Sequence, residues 1–324
     1  MTAPTLEVHL SDGQLTEALR TDARLGLTAA PKWLPPKWFY DARGSELFEQ
    51  ITELAEYYPT RTERELLRIN AADIAAASGA EILVELGSGS SEKTRLLLDA
   101  LVERGTLEQY VPQDVSATAL QSAADQISAE YPKLRVHGVV SDFTDTLNNL
   151  PSDGRRMIAF LGGTLGNLIP AERREFLDSV ASVLEPGEQL LLGVGLIIDP
   201  DVLVPAYDDA EGVTAEFNRN VLAVLNDRLD ADFDPERFRH VALWDSANEW
   251  IEMRLEADSA MTVHVRDLDL TVEFAEHEQL RTEISAKFRI DGIESELATS
   301  GFGVQQVWTD PDDRFALVLA QRAG

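Results

Sequence analysis

The chain reads as an α/β protein: a doubly wound, Rossmann-like, mostly parallel sheet with helices on both faces, joined to a second, smaller α+β domain. Two observations predict the first part. Short apolar strands alternate with amphipathic helices from Glu81 to Leu196, and the first strand ends in Gly87-Ser88-Gly89 ahead of a helix. A third predicts the second domain: after Asp199-Pro200 the strands no longer alternate with helices and follow one another with period-2 patterning.

In order, a helix is expected around Gln14 to Leu25, capped by Ser11 or Asp12. Pro31 to Asp41 is too proline-rich for helix and dense in aromatics, which suits a loop packed on a core or a lid. Gly44 to Ala77 reads as helices broken at Glu56 to Glu63, where Pro59 stops one helix and Thr60 or Thr62 caps the next, with Glu63 or Glu65 three residues on. Strand and helix then alternate: 81–86, 92–104, 109–113, 117–130, 134–140, 156–161, 171–184 and 188–196, the first, third, fifth, sixth and eighth being strands. Helix 212–229 precedes five antiparallel-type strands between Phe238 and Phe288, and helix 290–300 leads into a closing hairpin, 302–309 and 314–321. The expected domains are 62–197 plus 287–324, holding the cofactor, and 1–61 plus 198–286, holding the substrate.

With 324 residues, 44% of them hydrophobic, the chain can bury a sizeable core. A formal charge of −29 repels phosphate backbones and anionic membranes, so neither nucleic acid nor a membrane is an expected partner. There is no cysteine, hence no disulfide, thiolate nucleophile or cysteine metal site, and the N-terminal stretch carries acids with no apolar core. A cytoplasmic monomer is expected. The five histidines (His9, His137, His240, His264, His277) fall in no metal-ligand or triad spacing and read as structural or surface.

Glycines after a strand let a ligand approach the main chain beside the free N–H groups of a helix start. A dinucleotide fingerprint expects a third glycine where this chain has Glu92, a poor neighbour for a pyrophosphate. Glu85-Leu86-Gly87-Ser88-Gly89 resembles instead the first motif of S-adenosylmethionine-dependent methyltransferases, whose cofactor carries no phosphate. Asp114 ends the second strand, where an acid suits ribose hydroxyls, and Asp142-Phe143 ends the third, suited to an adenine amino group and ring face. A lone acid at a strand end is as often a helix cap; Glu85, Asp114 and Asp142 in succession favour a ligand.

Further motifs extend the resemblance over nearly the whole chain: Pro35-Pro36-Lys37-Trp38-Phe39-Tyr40-Asp41, Glu56-Tyr57-Tyr58-Pro59-Thr60-Arg61-Thr62-Glu63, Phe160 to Asn167, Ala206-Tyr207-Asp208-Asp209, Phe217-Asn218-Arg219-Asn220 and Ser285-Ala286-Lys287-Phe288. With them the chain resembles the histidine-specific methyltransferase family. That resemblance implies S-adenosyl-L-methionine as cofactor, no metal, and trimethylation of the α-amine of L-histidine to hercynine, the first step of ergothioneine biosynthesis. It matches Gly87, Lys93, Asp114, Asp142 and Phe143 to the cofactor site. It matches Tyr57, Gly162, Asn167 and Tyr207 to the amino-acid backbone, Glu283 and Ser285 to the imidazole, Met253 to the side-chain pocket, and Tyr40 to the neighbourhood of the reacting amine. Singly, Tyr57 and Tyr58 also read as core aromatics, Asn167 as a cap before Pro170, and Glu283 as the solvated face of a strand.

Two positions depart from the family. Gly195 and Ile198 stand where it usually carries an aspartate and a lysine, which implies reduced turnover that Gly195→Asp would raise, and Gly163 stands where serine is commoner. Three alternatives stand beside the histidine reading: methylation of another amine such as a tryptophan derivative, a dinucleotide oxidoreductase, and a binding module that has lost catalysis.

Overall fold

A computed structural model describes residues 4–89, 91–144 and 147–324, so Ser90 of the glycine-rich motif lies outside the described residues. In chain order the elements are β1 (Thr5–Val8), α1 (Asp12–Thr28), β2 (Lys32–Trp33), α2 (Ala42–Glu53), α3 (Tyr58–Ser78), β3 (Ile82–Leu86), α4 (Thr94–Arg104), β4 (Gln109–Asp114) and α5 (Ala117–Glu130). There follow β5 (Arg135–Val140), β6 (Arg156–Phe160), α6 (Pro170–Val183), β7 (Gln189–Gly195), α7 (Pro200–Leu203), α8 (Val213–Leu229), β8 (Phe238–Asp245) and β9 (Trp250–Ala257). The last are β10 (Met261–Val265), β11 (Leu270–Phe274), β12 (Gln279–Ala286), α9 (Ile290–Thr299), β13 (Phe302–Thr309) and β14 (Phe315–Arg322). The chain divides into two compact units, residues 1–11, 61–197 and 288–324 in one and residues 12–60 and 198–287 in the other.

The first unit is an eight-stranded sheet in the order β1-β5-β4-β3-β6-β7-β14-β13. β3 pairs in parallel with β4 on one side and β6 on the other, so the strand order reverses at β3 and leaves a crevice at its carboxyl end. β3 and β6 are buried throughout, as expected for parallel strands covered on both faces. β14 returns antiparallel to β7 and closes the hairpin with β13, as the sequence pattern predicts. β1 was not among the sequence-predicted elements. It lies parallel to β5 at the sheet edge, in the first unit, whereas the expected boundaries put all of 1–61 in the second. Leu6 and Val8 alternate with Thr5 and Glu7, but four mostly exposed residues are too short a run to stand out; beside the main-chain pairing, Thr5 and Glu7 both meet the His137 ring, at 2.8 and 3.2 Å.

The second unit carries two sheets, β2-β12-β9-β8 and the β10-β11 hairpin, with α1, α2 and α8. Its core joins Phe39, Leu47, Tyr58, Phe217, Phe238, Met253 and Phe274. Pro59 does not stop a helix: α2 ends at Glu53 and Pro59 sits in the first turn of α3, where a missing N–H costs nothing because it has no intrahelical partner.

One buried ion pair secures the edge of β6. Arg156 Nε reaches both Glu188 oxygens at 3.0 and 2.9 Å, and Glu188 also accepts the Arg156 and Glu185 N–H groups at 2.8 and 2.7 Å. Both side chains are almost fully buried. Removing one partner strands the other charge, a loss of about 3–5 kcal/mol. Glu188→Ala is therefore expected to lower the melting temperature by on the order of 10 °C; calorimetry showing no shift would contradict this.

Candidate functional site

In the first unit the site is built on the carboxyl ends of β3 and β4 and the loops after β5 and β6. Gly87 and Gly89 take φ of +65° and +50°, angles that a side chain disfavours, and a Cβ on Gly87 would point at the Phe143 ring at 3.8 Å. The half-buried Asp114 carboxylate accepts the Gly89 N–H through Oδ2 and the Ser116 N–H through Oδ1, both at 3.0 Å. Burial raises its pKa against those bonds. Asp142 Oδ1 accepts from the Thr144 backbone at 2.8 Å and hydroxyl at 2.6 Å, while Phe143 stands edge-on to Phe160 and Phe176.

Glu85, the third acid of the series, faces inward. Its two oxygens accept from Thr94 and Tyr110 hydroxyls, both at 2.5 Å, and burial lifts its pKa to about 7. The Tyr110 hydroxyl, its proton given to Glu85, accepts from Ser91 Oγ at 2.9 Å, so this network ties the turn after the glycines to the sheet.

Lys93 does not stand free. Its ammonium pairs with Glu63, whose other oxygen accepts the Gly162 N–H at 2.7 Å. Glu63 is wholly buried, and a Cβ on Gly193 would lie 1.9 Å from its Oε1. Sequence spacing suggested a helix cap for Glu63; α3 begins at Tyr58, which carries Glu63 past the first turn and inward. Gly162 and Gly163 take φ of +79° and +71° before a 3-10 turn, Thr164–Asn167. Asn167 is half-buried and does not cap α6, whose N-cap position is Ile169. Gly195 ends β7 with its carbonyl accepting the Phe288 N–H at 2.9 Å.

The second unit brings together Tyr40, Tyr57, Tyr207, Met253, Glu283 and Ser285. Tyr40 packs edge-on against Phe48, Phe48 against Tyr57, and Tyr57 against Tyr207, with centroids 5.5, 6.2 and 6.2 Å apart. Tyr40 is 43% exposed, whereas Tyr57 and Tyr207 are buried. On β12, Glu283 lies opposite Met253 of β9. Glu283, Ser285 and Lys287 alternate along the chain and so share a face.

The Tyr207 hydroxyl and Ser285 Oγ are 2.8 Å apart, and the buried Lys287 ammonium donates to both, at 2.8 and 2.7 Å. Glu283 is half-buried, and among the described residues no hydrogen bond reaches its carboxylate. Desolvation pushes its pKa up to about 7, opposed by Lys287. Burial lowers the Lys287 pKa and raises those of Tyr57 and Tyr207.

A second polar layer fixes Tyr207 from behind. Thr282 Oγ1 donates to Asn218 Oδ1 at 2.6 Å, and Asn218 Nδ2 faces the Arg254 carbonyl at 3.1 Å and His240 Nδ1 at 2.8 Å. His240 Nδ1 is thus an acceptor, and its Nε2–H donates to the Tyr207 carbonyl at 2.8 Å. Sequence reasoning assigned no role to Asn218, Thr282 or Lys287, and read Glu63 only as part of a helix cap. Only Lys287 carried a readable signal, its period-2 spacing from Glu283 and Ser285.

Residues 19–322 match the family described as histidine-specific methyltransferase, SAM-dependent. The chain belongs to that family. It is 55% identical over 318 residues to the histidine N-alpha-methyltransferase of Mycolicibacterium smegmatis, covering 98% of this chain and 99% of the relative. It is 52% identical over 314 residues to that of Mycobacterium tuberculosis, covering 97% and 98%. A solved S-adenosylmethionine-dependent methyltransferase from Clostridium acetobutylicum aligns with a TM-score of 0.50 at 12% identity, over 86% of this chain and 99% of that one, a likeness of fold alone. The fold is that of the class I methyltransferases.

The first unit's residues fit the family's cofactor. Gly89 would carry a Cβ into open space, and each Asp114 oxygen keeps a lone pair for a hydroxyl donor. Lys93 is paired with Glu63, which suits a sulfonium ligand better than a phosphate.

Two predictions follow from these contacts. Glu63 is held by Lys93 and Gly162 and has nowhere to retreat, so Gly193→Ala is expected to cost about 1–3 kcal/mol of stability, read as a lower melting temperature; an unchanged one contradicts the contact. For Glu283, the folded protein retains a proton that the unfolded chain loses above pH about 4.5. Its stability contribution is therefore full below that pH and lost as pH rises through about 7. The always-neutral Glu283→Gln is expected to melt above the parent protein at alkaline pH and to converge with it near pH 5; a gap independent of pH contradicts the assignment.

Proposed function

We propose that the protein transfers three methyl groups in succession from S-adenosyl-L-methionine to the α-amine of L-histidine, giving hercynine, the first step of ergothioneine biosynthesis. The observation that carries this reading is the Glu283 carboxylate, half-buried, with no hydrogen bond among the described residues, and on the same strand face as Ser285. A shielded carboxylate with free lone pairs seats an N–H donor, and charge-assisted bonds of that kind contribute about 1.5–3 kcal/mol. Phenylalanine, aromatic but without an N–H, forgoes them. Relatives named histidine N-alpha-methyltransferase at more than half identity support the same substrate.

Gly87, Lys93, Asp114, Asp142 and Phe143 would hold the cofactor, which supplies an electrophilic methyl carbon on a sulfonium. Asp114 suits ribose hydroxyls, Asp142 the adenine amino group, and Phe143 the adenine face. In the second unit Tyr57 and Tyr207 would bind the amino-acid backbone, Tyr207 by donating its phenol proton to the carboxylate. Met253 would line the side-chain pocket. Each round begins with loss of one proton from the α-ammonium to solvent, which frees the nitrogen lone pair for attack. What remains is positioning and exclusion of water, worth roughly 7–11 kcal/mol when the lone pair is well aimed. As methyl groups accumulate the product becomes a fixed cation, and the exposed Tyr40 face would stabilise it by about 0.5–2 kcal/mol.

Glu283→Ala tests the reading. Assayed by release of S-adenosylhomocysteine, the variant is expected to raise KM for histidine tenfold or more. An unchanged KM would move the protein to another amine of its family.

A further inference from the structure

We propose that Lys287 is a positioning residue for substrate choice: by donating to both Tyr207 and Ser285 it leaves Ser285 as a hydrogen-bond acceptor, so the site selects a ring that shares an additional proton with Glu283. The inference rests on the histidine reading above. It begins from three atoms in a closed triangle, Lys287 Nζ, Tyr207 Oη and Ser285 Oγ, with sides of 2.8, 2.7 and 2.8 Å.

The ammonium has protons but no lone pair, so it is the donor on two sides. The third side uses one of the two hydroxyl protons, and only the other points outward. If Tyr207 gives its proton to a substrate carboxylate, Ser285 must donate to Tyr207. Ser285 Oγ then accepts from Lys287 and keeps one lone pair for the ligand. Glu283, when ionised, is also only an acceptor.

An imidazole between Ser285 and Glu283 meets both demands with an N–H on each nitrogen, as an imidazolium beside a carboxylate. Moved across the same bond, that proton gives neutral imidazole beside a carboxylic acid. Burial has brought Glu283 to about 7, close to the ordinary imidazole value, so both forms belong to one shared-proton pair. The groups that face Lys287 are Tyr58, Tyr207, Ser285 and Glu283, and Tyr58 and Glu283 both favour its charged form.

The test compares histidine with 1,2,4-triazolylalanine, an isostere with one ring N–H and a far less basic ring. The protein is expected to bind histidine at least about tenfold more tightly, by calorimetry. In Lys287→Met the two hydroxyls are free to turn, Ser285 can donate, and that ratio is expected to fall several-fold. A merely structural loss would weaken both ligands alike and leave the ratio unchanged, and that result overturns the proposal. If Lys287→Met does not fold, Ser285→Ala removes the acceptor itself; a reduced ratio supports the proposal and an unchanged one overturns it. Failure of the histidine reading shows separately, as no histidine bound by the unsubstituted protein.

Discussion

A carboxylate taken out of water must be partnered or neutralised, because its desolvation costs more than any single contact returns. Much of this chain's architecture answers that constraint. Glu188 is held by the Arg156 guanidinium and two N–H groups. Glu63 divides its oxygens between the Lys93 ammonium and the Gly162 N–H, and Gly193 leaves it the room. Glu85 takes two hydroxyl donors and a pKa near neutrality. Glu283 has a counter-charge in Lys287 but no hydrogen bond among the described residues, and that incomplete satisfaction is the observation on which the proposed substrate contact rests.

The same logic explains why the cluster around Tyr207 is layered. Buried hydroxyls need a fixed polarity to discriminate ligands. Placing the ammonium one hydrogen bond behind Tyr207 and Ser285 supplies it. The Thr282–Asn218–His240 chain then fixes the Tyr207 main chain, so hydroxyl and backbone are positioned by separate networks.

The parallel sheet was legible because strands buried on both faces are mainly apolar, and β3, β4, β6 and β7 are so apart from Glu85, the polar ends of β4 and the first residues of β6 and β7. β1 was not, since an edge strand of four mostly exposed residues shows only one alternating pair, Leu6 and Val8, too short a pattern to stand out. Pro59 was misjudged because a proline marks a helix start as readily as a stop, and the choice depends on where the preceding helix has already ended. The individual chemistry of Glu63 was hidden for a related reason. Its burial comes from Lys93 and Gly162, 30 and 99 residues away, and no local pattern announces a partner at that distance. Lys287 could have been found from strand periodicity alone, given Glu283 and Ser285.

The most direct test of the account is mass spectrometry of the purified protein incubated with S-adenosylmethionine and an equimolar mixture of the twenty amino acids. The account predicts methylation of histidine alone, ending at three added methyl groups on the α-nitrogen. Methylation of a different amino acid, with histidine untouched, would contradict it.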